Sequence, residues 1–155
     1  MIREFNEINL ASRNSFHVEQ SARRLIEFDC EEDLLSIFGR EPIGRWMVLS
    51  GGNNILFTED YDGVLLTPVS QRIEPVEEND ERVVVRVGAG VEWDDLVAWA
   101  VERGLWGLEN LSLIPGTAGA APVQNIGAYG AEAKDVITHV EYFDCRTMET
   151  RRLTK

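Results

Sequence analysis

The sequence predicts an α+β chain made of two small lobes, and three observations support this prediction. Hydrophobic residues make up 44% and charged residues 27% of the 155 residues, which is typical of a chain that forms its own core. Each half of the chain contains both strand and helix patterns. A polar, acidic stretch separates the two halves. We therefore predict an N-terminal arm at residues 1–16, a first lobe at 17–68, an acidic loop at 69–81 and a second lobe at 82–155.

The first lobe opens with a strand and a short helix. The segment ARRLIEF at residues 22–28 has the apolar content of a strand. Asp29 followed by Glu32 has the spacing of a capping box, which predicts that a helix begins there. Gly39 is predicted to end this helix. Its apolar face consists of Leu34, Leu35 and Phe38.

Two more strands complete the first lobe. The segment WMVL at residues 46–49 predicts a buried strand, which leads directly into Ser50-Gly51-Gly52-Asn53-Asn54, the first glycine segment. The acidic stretch TEDYDG at 58–63 predicts a turn. The segment VLLTP at 64–68 predicts the third strand, which its proline closes. The first lobe therefore has the predicted order β-α-β-β.

The second lobe contains the clearest helix pattern of the chain. The polar residues 69–81 precede it and form either an interaction loop or a solvated hairpin or linker. Alternating valines from Arg82 onward predict a strand. Helical spacing of apolar residues follows, and Gly104 is predicted to end the helix. The apolar stripe of this helix, which we interpret as core packing, consists of Trp93, Leu96, Val97, Ala100 and Val101.

The segment from Leu111 to Gly130 differs from the rest of the chain. It contains four glycines, two prolines and no charged residue. Surface loops are usually polar, so this composition is unusual for a connection. We refer to Pro115–Gly130 as the second glycine segment. Two strands, at about 136–143 and 149–153, are predicted to close the chain.

Charge and composition exclude several classes of function. A net charge of −12 opposes a broad electrostatic contact with nucleic acid. No apolar run approaches the ~18–20 residues of a membrane span, and the N-terminus has no apolar secretory region, so we expect a soluble, cytoplasmic protein without a membrane partner. Isolated cysteines and histidines predict reduced, partly buried thiols and no metal site. These residues are Cys30, Cys145, His17 and His139.

The two glycine segments are the candidates for ligand binding. Because glycine lacks a Cβ, successive amide N–H groups can turn toward an anion and hold phosphate oxygens. The first segment is equally compatible with a plain tight turn, since Asn and Gly both tolerate positive φ. In the second segment, Gln124, Asn125 and Tyr129 offer uncharged hydrogen-bonding groups of the kind that orient a flat heteroaromatic ligand.

Two common nucleotide-binding motifs do not fit these residues. A P-loop requires Gly-Lys-Ser/Thr, whereas Ile55 and Leu56 follow the first glycine segment. The stretch Gly88-Ala89-Gly90 lies between a strand and a helix, as in a dinucleotide-binding fingerprint. Trp93 occupies the position of its third glycine, which close packing of helix and strand requires, so we reject that motif.

Two longer stretches resemble the UDP-N-acetylenolpyruvoylglucosamine reductases (the MurB family). They are VLSGGNNILFTEDYDGVLL and GLWGLENLSLIPGTAGAAPVQNIGAYGAE. The combination of PG-x-x-G with N-x-GAYG is the more specific of the two. The resemblance extends from about Phe16 to the end of the chain.

The resemblance implies an FAD-binding domain of the vanillyl-alcohol-oxidase (PCMH) type, in which two α+β lobes hold FAD without a covalent bond. The first glycine segment then lies on the pyrophosphate. The second follows the pyrophosphate, the ribityl chain and the flavin ring. A side chain at Gly52 is expected to abolish flavin binding while leaving the fold intact. The implied cofactor-binding residues are Ser50, Gly51, Gly52, Asn53, Asn54, Pro115, Gly116, Thr117, Gly119, Ala120, Val123, Gln124, Asn125, Gly127, Ala128, Tyr129 and Gly130.

The implied activity is an NADPH-dependent reduction of a nucleotide sugar, UDP-N-acetylenolpyruvoylglucosamine, to UDP-N-acetylmuramate for peptidoglycan synthesis. In the family, catalysis requires a Tyr-Arg-Asp-Ser motif, a proton-donating Ser and a Glu. The motif is absent from the sequence, so no residue is assigned a catalytic role. We therefore expect the FAD-binding part of a longer enzyme, inactive by itself. Two alternatives remain open, namely a stand-alone flavin-binding module and the FAD domain of another oxidoreductase of the same superfamily.

Overall fold

A computed structural model describes residues 1–40 and 42–154. The chain divides into two compact units. The first contains Met1–Val69 and Glu141–Leu153, and the second contains Ser70–Val140 together with Thr154. Both units contain helices and strands, which confirms the predicted α+β class. The boundaries differ from the predicted ones, because the N-terminal residues and a C-terminal hairpin belong to the first unit.

A four-stranded sheet forms the centre of the first unit. Numbered along the chain as β1 (Arg3–Asn9), β2 (Ser21–Phe28), β3 (Trp46–Val48) and β4 (Tyr61–Pro68), its strands have the spatial order β1-β2-β4-β3. β1 is antiparallel to β2, whereas β2 and β3 are both parallel to β4. The carboxyl ends of three parallel strands therefore meet at one edge of this sheet.

The predicted N-terminal arm is wrong, because Arg3–Asn9 is a strand of this sheet. Most of its side chains are exposed, so the alternation of apolar and polar residues that reveals a half-buried strand is weak there. Its pairing with β2 decides its conformation. The predicted turn at 58–63 is also too long, because β4 begins at Tyr61.

Apolar residues cover both faces of the sheet. Helix α1 (Glu31–Arg40) contributes Ile37 to one face, where it packs with Ile26, Val64 and Leu66. The opposite face carries the larger cluster, which consists of Leu10, Ala22, Leu25, Leu49, Phe57, Tyr61 and Leu65. Two buried faces explain the uninterrupted apolar run of β4, because parallel strands covered on both sides do not alternate.

The predicted helix is confirmed as α1, with local differences. It continues through Gly39 to Arg40. The backbone N–H of Asp29 donates to the Asp33 carboxylate at 2.9 Å. Asp33 therefore caps the start of the helix in place of the predicted Glu32. Leu35, assigned to the apolar face, is largely exposed, and Ile37 is the buried residue of the helix.

The strand predicted at residues 46–49 is present as β3, but the prediction that it is buried is wrong. β3 lies at the edge of the sheet, and Trp46 and Val48 are 38% and 55% exposed. Trp46 contacts Phe38 of α1 edge-to-face, with ring centroids 5.2 Å apart. An apolar strand sequence alone does not distinguish an edge position from a central one.

A hairpin and a helix open the second unit. β5 (Ile73–Glu78) pairs antiparallel with β6 (Val83–Val87), so the acidic residues 69–81 contain a strand, in agreement with the hairpin alternative. Helix α2 (Trp93–Glu102) confirms the predicted helix, and Gly104 follows it at φ +68°. Val101 is the exception in its stripe, because it is exposed. The buried core residues of this unit are Val91, Trp93, Leu96, Val97, Leu111, Ala121 and Ala133.

Short elements follow α2 to the end of the chain. In the second unit they are α3 (Ala121–Gln124), β7 (Gly127–Ala128), β8 (Ala131–Glu132) and α4 (Ala133–Val136). A capping box between Glu132 and Asp135 starts α4, so the strand predicted from about residue 136 begins later. That strand is β9 (His139–Asp144), which forms a two-stranded sheet with β10 (Glu149–Thr154).

Two smaller expectations can also be compared with the structure. Cys30 and Cys145 are both free thiols and both partly buried, as predicted. Of the helices in the described part of the chain, none has the length and apolar character needed to cross a membrane.

Candidate functional site

The first glycine segment begins at the edge of the sheet where the parallel strands end. It follows β3 directly, after Leu49 donates its backbone N–H to the Leu66 carbonyl at 2.9 Å. In open sheets with parallel strands, ligands bind outside the carboxyl ends of the strands. The position of Ser50–Asn54 in the topology is therefore that of a ligand-binding loop.

Backbone amides of this segment are available as hydrogen-bond donors. Within the described residues, the N–H groups of Gly51, Gly52, Asn53 and Asn54 donate no hydrogen bond to protein. Amides from consecutive residues carry partial positive charge and bind anions where they converge. Four such amides in a row suit phosphate oxygens, so the structure fits the predicted chemistry of this loop.

Gly52 has a second role that the sequence did not reveal. Its φ is +67°, and a Cβ at this position would overlap the carbonyl oxygen of Arg13 and lie 2.9 Å from the Cα of Asn14. The backbone therefore approaches closely enough to require glycine without any ligand. The expectation that a side chain at Gly52 leaves the fold intact is wrong, because the substituted residue would collide with protein backbone.

Residues Leu10–Val18, which we call the support loop, contact the first glycine segment. Asn14 is only 4% exposed and organises this loop. Its Nδ2 donates to the carbonyls of Leu10 at 2.7 Å and Val18 at 3.2 Å, and its Oδ1 accepts from the N–H groups of Phe16 and Val18. A single buried side chain therefore satisfies four backbone groups. The sequence does not reveal this role, because an isolated Asn carries no periodic signal.

An ion-paired carboxylate lies beside the support loop. Glu27 of β2 is buried, and its two carboxylate oxygens lie 2.6 Å from Nη2 of Arg3 and 2.9 Å from Nη2 of Arg13. Arg13 therefore shares one carboxylate with Arg3. The amides of the first glycine segment are a separate source of positive potential.

The second glycine segment runs alongside the start of α2. Its Gly116 carbonyl accepts the N–H of Trp93 at 2.8 Å, and Ala118 donates to the Val91 carbonyl at 2.8 Å. A Cβ at Gly119 would lie 2.6 Å from the Cβ of Ala89, so this glycine permits close packing of two backbone segments. The beginning of the segment is thus attached to the core of the second unit.

The later part of the segment projects its side chains outward. Val123, Gln124 and Tyr129 are exposed, and the exposed fraction of Tyr129 is 92%. Thr117, also predicted to contact the cofactor, is instead buried at 5% exposure. Exposed apolar and aromatic groups in one segment are typical of a surface that a ligand or another part of the protein covers.

Asn125 is largely committed to the protein. It ends α3 in the left-handed region at φ 45°, and its Nδ2 donates to Glu132 at 3.1 Å. Glu132 is also paired with Lys134. The Lys134 and Asn125 contacts hold the pKa of the Glu132 carboxyl below its usual value. Gln124 has no such bond within the described residues, and its amide remains available.

The turn between β7 and β8 has an unusual residue at its tip. Tyr129 and Gly130 connect the strands and have φ values of +52° and +82°. A two-residue hairpin with both φ values positive is a type I′ turn, which favours Asn and Gly. A tyrosine there is both strained and exposed, which indicates a role outside local folding.

Two acids at the start of α2 respond differently to their surroundings. Asp94 accepts hydrogen bonds from the Leu113 N–H at 2.7 Å and from Ser112 Oγ at 2.8 Å, and these contacts lower its pKa. The pKa of Glu92, which pairs with Thr117 in an isolated bridge, is raised by burial and then by the charge of Asp95.

In the part of the chain that the structure describes, no group of three or more His, Cys, Asp or Glu residues is placed to hold a metal ion.

Comparison with known proteins identifies a family and a shared fold. Residues 26–153 match the model of a family described as FAD binding domain. The chain is 46% identical over 134 residues to a UDP-N-acetylenolpyruvoylglucosamine reductase of Bacteroides fragilis, covering 86% of this chain and 40% of that protein. A protein of the same name from Bdellovibrio bacteriovorus is 38% identical over 148 residues, which are 94% of this chain and 44% of the relative. The chain thus spans less than half the length of these relatives.

A solved structure shares the fold. It is titled as the UDP-N-acetylenolpyruvylglucosamine reductase (MurB) from Thermus caldophilus, with a TM-score of 0.76 and 24% identity, over 99% of this chain and 52% of that one. The unpartnered amides of the first glycine segment fit the phosphates of FAD. Because the family model covers most of its length, the chain belongs to the FAD-binding domain family, and FAD is its cofactor.

Proposed function

We propose that the chain is the FAD-binding part of a UDP-N-acetylenolpyruvoylglucosamine reductase, which uses NADPH to form UDP-N-acetylmuramate. The names of the relatives at 38–46% identity support this reaction. The structural observation that carries the binding role is the row of unpartnered amides at Gly51–Asn54, beside the ends of parallel strands. The proposal includes a nucleotide-sugar substrate and a cytoplasmic location, where NADPH and such sugars occur.

The first glycine segment is proposed to hold the FAD pyrophosphate. Amides from Gly51 to Asn54 donate to phosphate oxygens, while Arg13 remains ion-paired with Glu27. Backbone donors of this kind are in place before the ligand arrives, which reduces the free energy lost to ordering. With a net charge of −12, fixed amide dipoles are the best source of attraction for an anionic cofactor in this chain.

The second glycine segment is proposed to follow the rest of the cofactor. The path of its backbone is set by the hydrogen bond of the Gly116 carbonyl, the close contact at Gly119 and the buried Thr117. The exposed Gln124 and Tyr129 contact the ligand. The other residues of the two glycine segments that the resemblance implies are likewise proposed to contact the cofactor. Bound FAD would supply hydride transfer from NADPH to the enolpyruvyl double bond. The side chains of this segment orient the flavin ring and limit the access of water to it.

Calorimetric titration of the chain with FAD and with FMN tests the binding role. FAD is expected to bind at least about 10-fold more tightly, because FMN lacks the pyrophosphate and adenosine that a dinucleotide site recognises. Equal affinity for FMN would contradict the assignment of the first glycine segment. The reaction itself is tested in a protein that joins this chain to the remaining length of its relatives. Substrate-dependent oxidation of NADPH is expected, and its absence would refute the proposed reaction without affecting the binding result.

A further inference from the structure

Ser15 is the point at which the support loop contacts the first glycine segment. Its backbone N–H donates to the Gly52 carbonyl at 3.1 Å, and its Oγ accepts from Nδ2 of Asn53 at 3.1 Å. These two bonds connect segments that are 37 or 38 residues apart in the sequence. One exposed residue therefore contacts two consecutive residues of the predicted phosphate loop.

The support loop is rigid where it holds Ser15. Asn14 precedes Ser15 directly and bonds to four backbone groups of the support loop, as described above. Arg13, on the other side of Asn14, is paired with the buried Glu27. Ser15 is thus presented from a structure that is already fixed on two sides.

The first glycine segment lacks comparable internal support. Four of its amides have no protein acceptor among the described residues, and two of its five residues are glycines, which carry the largest conformational freedom of any residue. A loop of this kind binds a ligand more tightly when its conformation is set before binding, because less free energy is then lost to ordering. External contacts must therefore supply that order.

We propose that Ser15 is a positioning residue for the flavin, which acts through its hydrogen bonds to Gly52 and Asn53. This inference rests on the proposed function of the first glycine segment. Ser15 itself need not touch FAD. Its hydroxyl fixes the Asn53 side chain, and its amide fixes the Gly52 carbonyl, so that the N–H groups of the segment keep the orientation that phosphate requires.

FAD affinity of single variants of the chain tests the proposal. Ser15→Ala removes only the hydroxyl of an exposed residue and is expected to weaken FAD binding about 3- to 10-fold, the value of one ordinary hydrogen bond. Ser15→Thr retains the hydroxyl and is expected to restore binding. Ser12→Ala is the matched control, because Ser12 is also an exposed serine of this loop and lacks a contact with the glycine segment in the described residues.

Two further measurements separate positioning from a general loss of structure. Without FAD, Ser15→Ala is expected to keep the far-UV circular dichroism spectrum of Ser12→Ala and to unfold in a single cooperative transition. In a double-mutant cycle, Ser15→Ala combined with Asn53→Ala is expected to bind FAD no more weakly than the worse single variant, because both remove the same contact.

Wild-type affinity in Ser15→Ala, failure of Ser15→Thr to restore binding, or additive losses in the cycle would each overturn the proposal. Loss of the far-UV signal or of cooperative unfolding in Ser15→Ala would also overturn it, because the weaker binding would then follow from a general loss of structure. If the unmodified chain bound no FAD, the proposed function would fail first, and the premise of this inference with it.

Discussion

Replacing Gly52 with alanine is expected to destabilise the first unit rather than act on FAD alone. The backbone of Gly52 lies at φ +67°, where an L-residue with a Cβ is unfavourable by about 1–2 kcal/mol. The added Cβ also overlaps the Arg13 carbonyl oxygen and lies 2.9 Å from the Cα of Asn14. Both atoms belong to backbone that Asn14 and Glu27 hold in place, so neither can move freely.

Overpacking of this kind typically costs about 1–3 kcal/mol in addition to the backbone strain. The expected loss of unfolding free energy for Gly52→Ala is therefore about 2–5 kcal/mol. A domain of this size is stable by only about 5–15 kcal/mol, so the variant would lose a large part of its stability.

Gly44→Ala is the matched control for this variant. Gly44 lies in the same unit at φ +68°, and among the described residues a Cβ there would have nothing within 4 Å. Its replacement measures the backbone strain alone, which is expected to be about 1–2 kcal/mol. Urea unfolding followed by far-UV circular dichroism, without FAD, gives both values.

The difference between the two variants is the cost of the collision with the support loop. If Gly52→Ala were no less stable than Gly44→Ala, the inference that a Cβ at Gly52 collides with the backbone of Arg13 would be wrong. A fully stable Gly52→Ala variant that had lost FAD binding would instead support a role of this glycine in contact with the pyrophosphate alone.

Three further predictions follow from the second unit. Trp93→Ala is expected to lower the unfolding free energy by about 3–5 kcal/mol, because Trp93 is buried and its Nε1 donates to the Leu111 carbonyl at 3.0 Å; a loss under about 1 kcal/mol in urea unfolding would contradict this. Asp94→Asn is expected to lower the free energy of unfolding at neutral pH, because a carboxyl with a lowered pKa stabilises the fold while it is ionised. This loss is expected to shrink as the pH falls below the ordinary Asp pKa of 3.8. If the stability difference between the variant and the unmodified chain were the same at pH 7 and pH 3, the prediction would be wrong. Tyr129→Asn is expected to raise stability by roughly 0.5 kcal/mol, since Asn tolerates positive φ, while weakening FAD binding in calorimetry; unchanged affinity would exclude a contact between Tyr129 and the cofactor.

Local patterns predicted most of the regular elements. The helix α2 was recognisable because four of its five stripe residues are buried, and buried residues on one face of a helix recur with a period of 3.6 residues in the sequence. Strands β2 and β4 were recognisable because both are rich in buried aliphatic residues. Strand β1 was missed, since its side chains are mostly exposed and its pairing with β2 leaves little trace in composition.

The candidate site divides in the same way. The glycine-rich composition alone identified both segments, because the absence of a Cβ is visible in the sequence. Why each glycine is needed depends on what lies opposite it: Arg13 for Gly52, and Ala89 for Gly119. Nor did the sequence distinguish Asn125, whose amide is bound to Glu132, from Gln124, whose amide is available.

The sequence by itself determined the α+β class, the two glycine segments that are proposed to bind the cofactor and the resemblance to a flavin-dependent family. These properties depend on neighbours along the chain, which a single sequence displays directly. Only the tertiary structure decided that the N-terminal residues join the sheet and that Asn14 and Ser15 support the first glycine segment. Such contacts join residues that are tens of positions apart, and their strength depends on distance and burial, which no local pattern records.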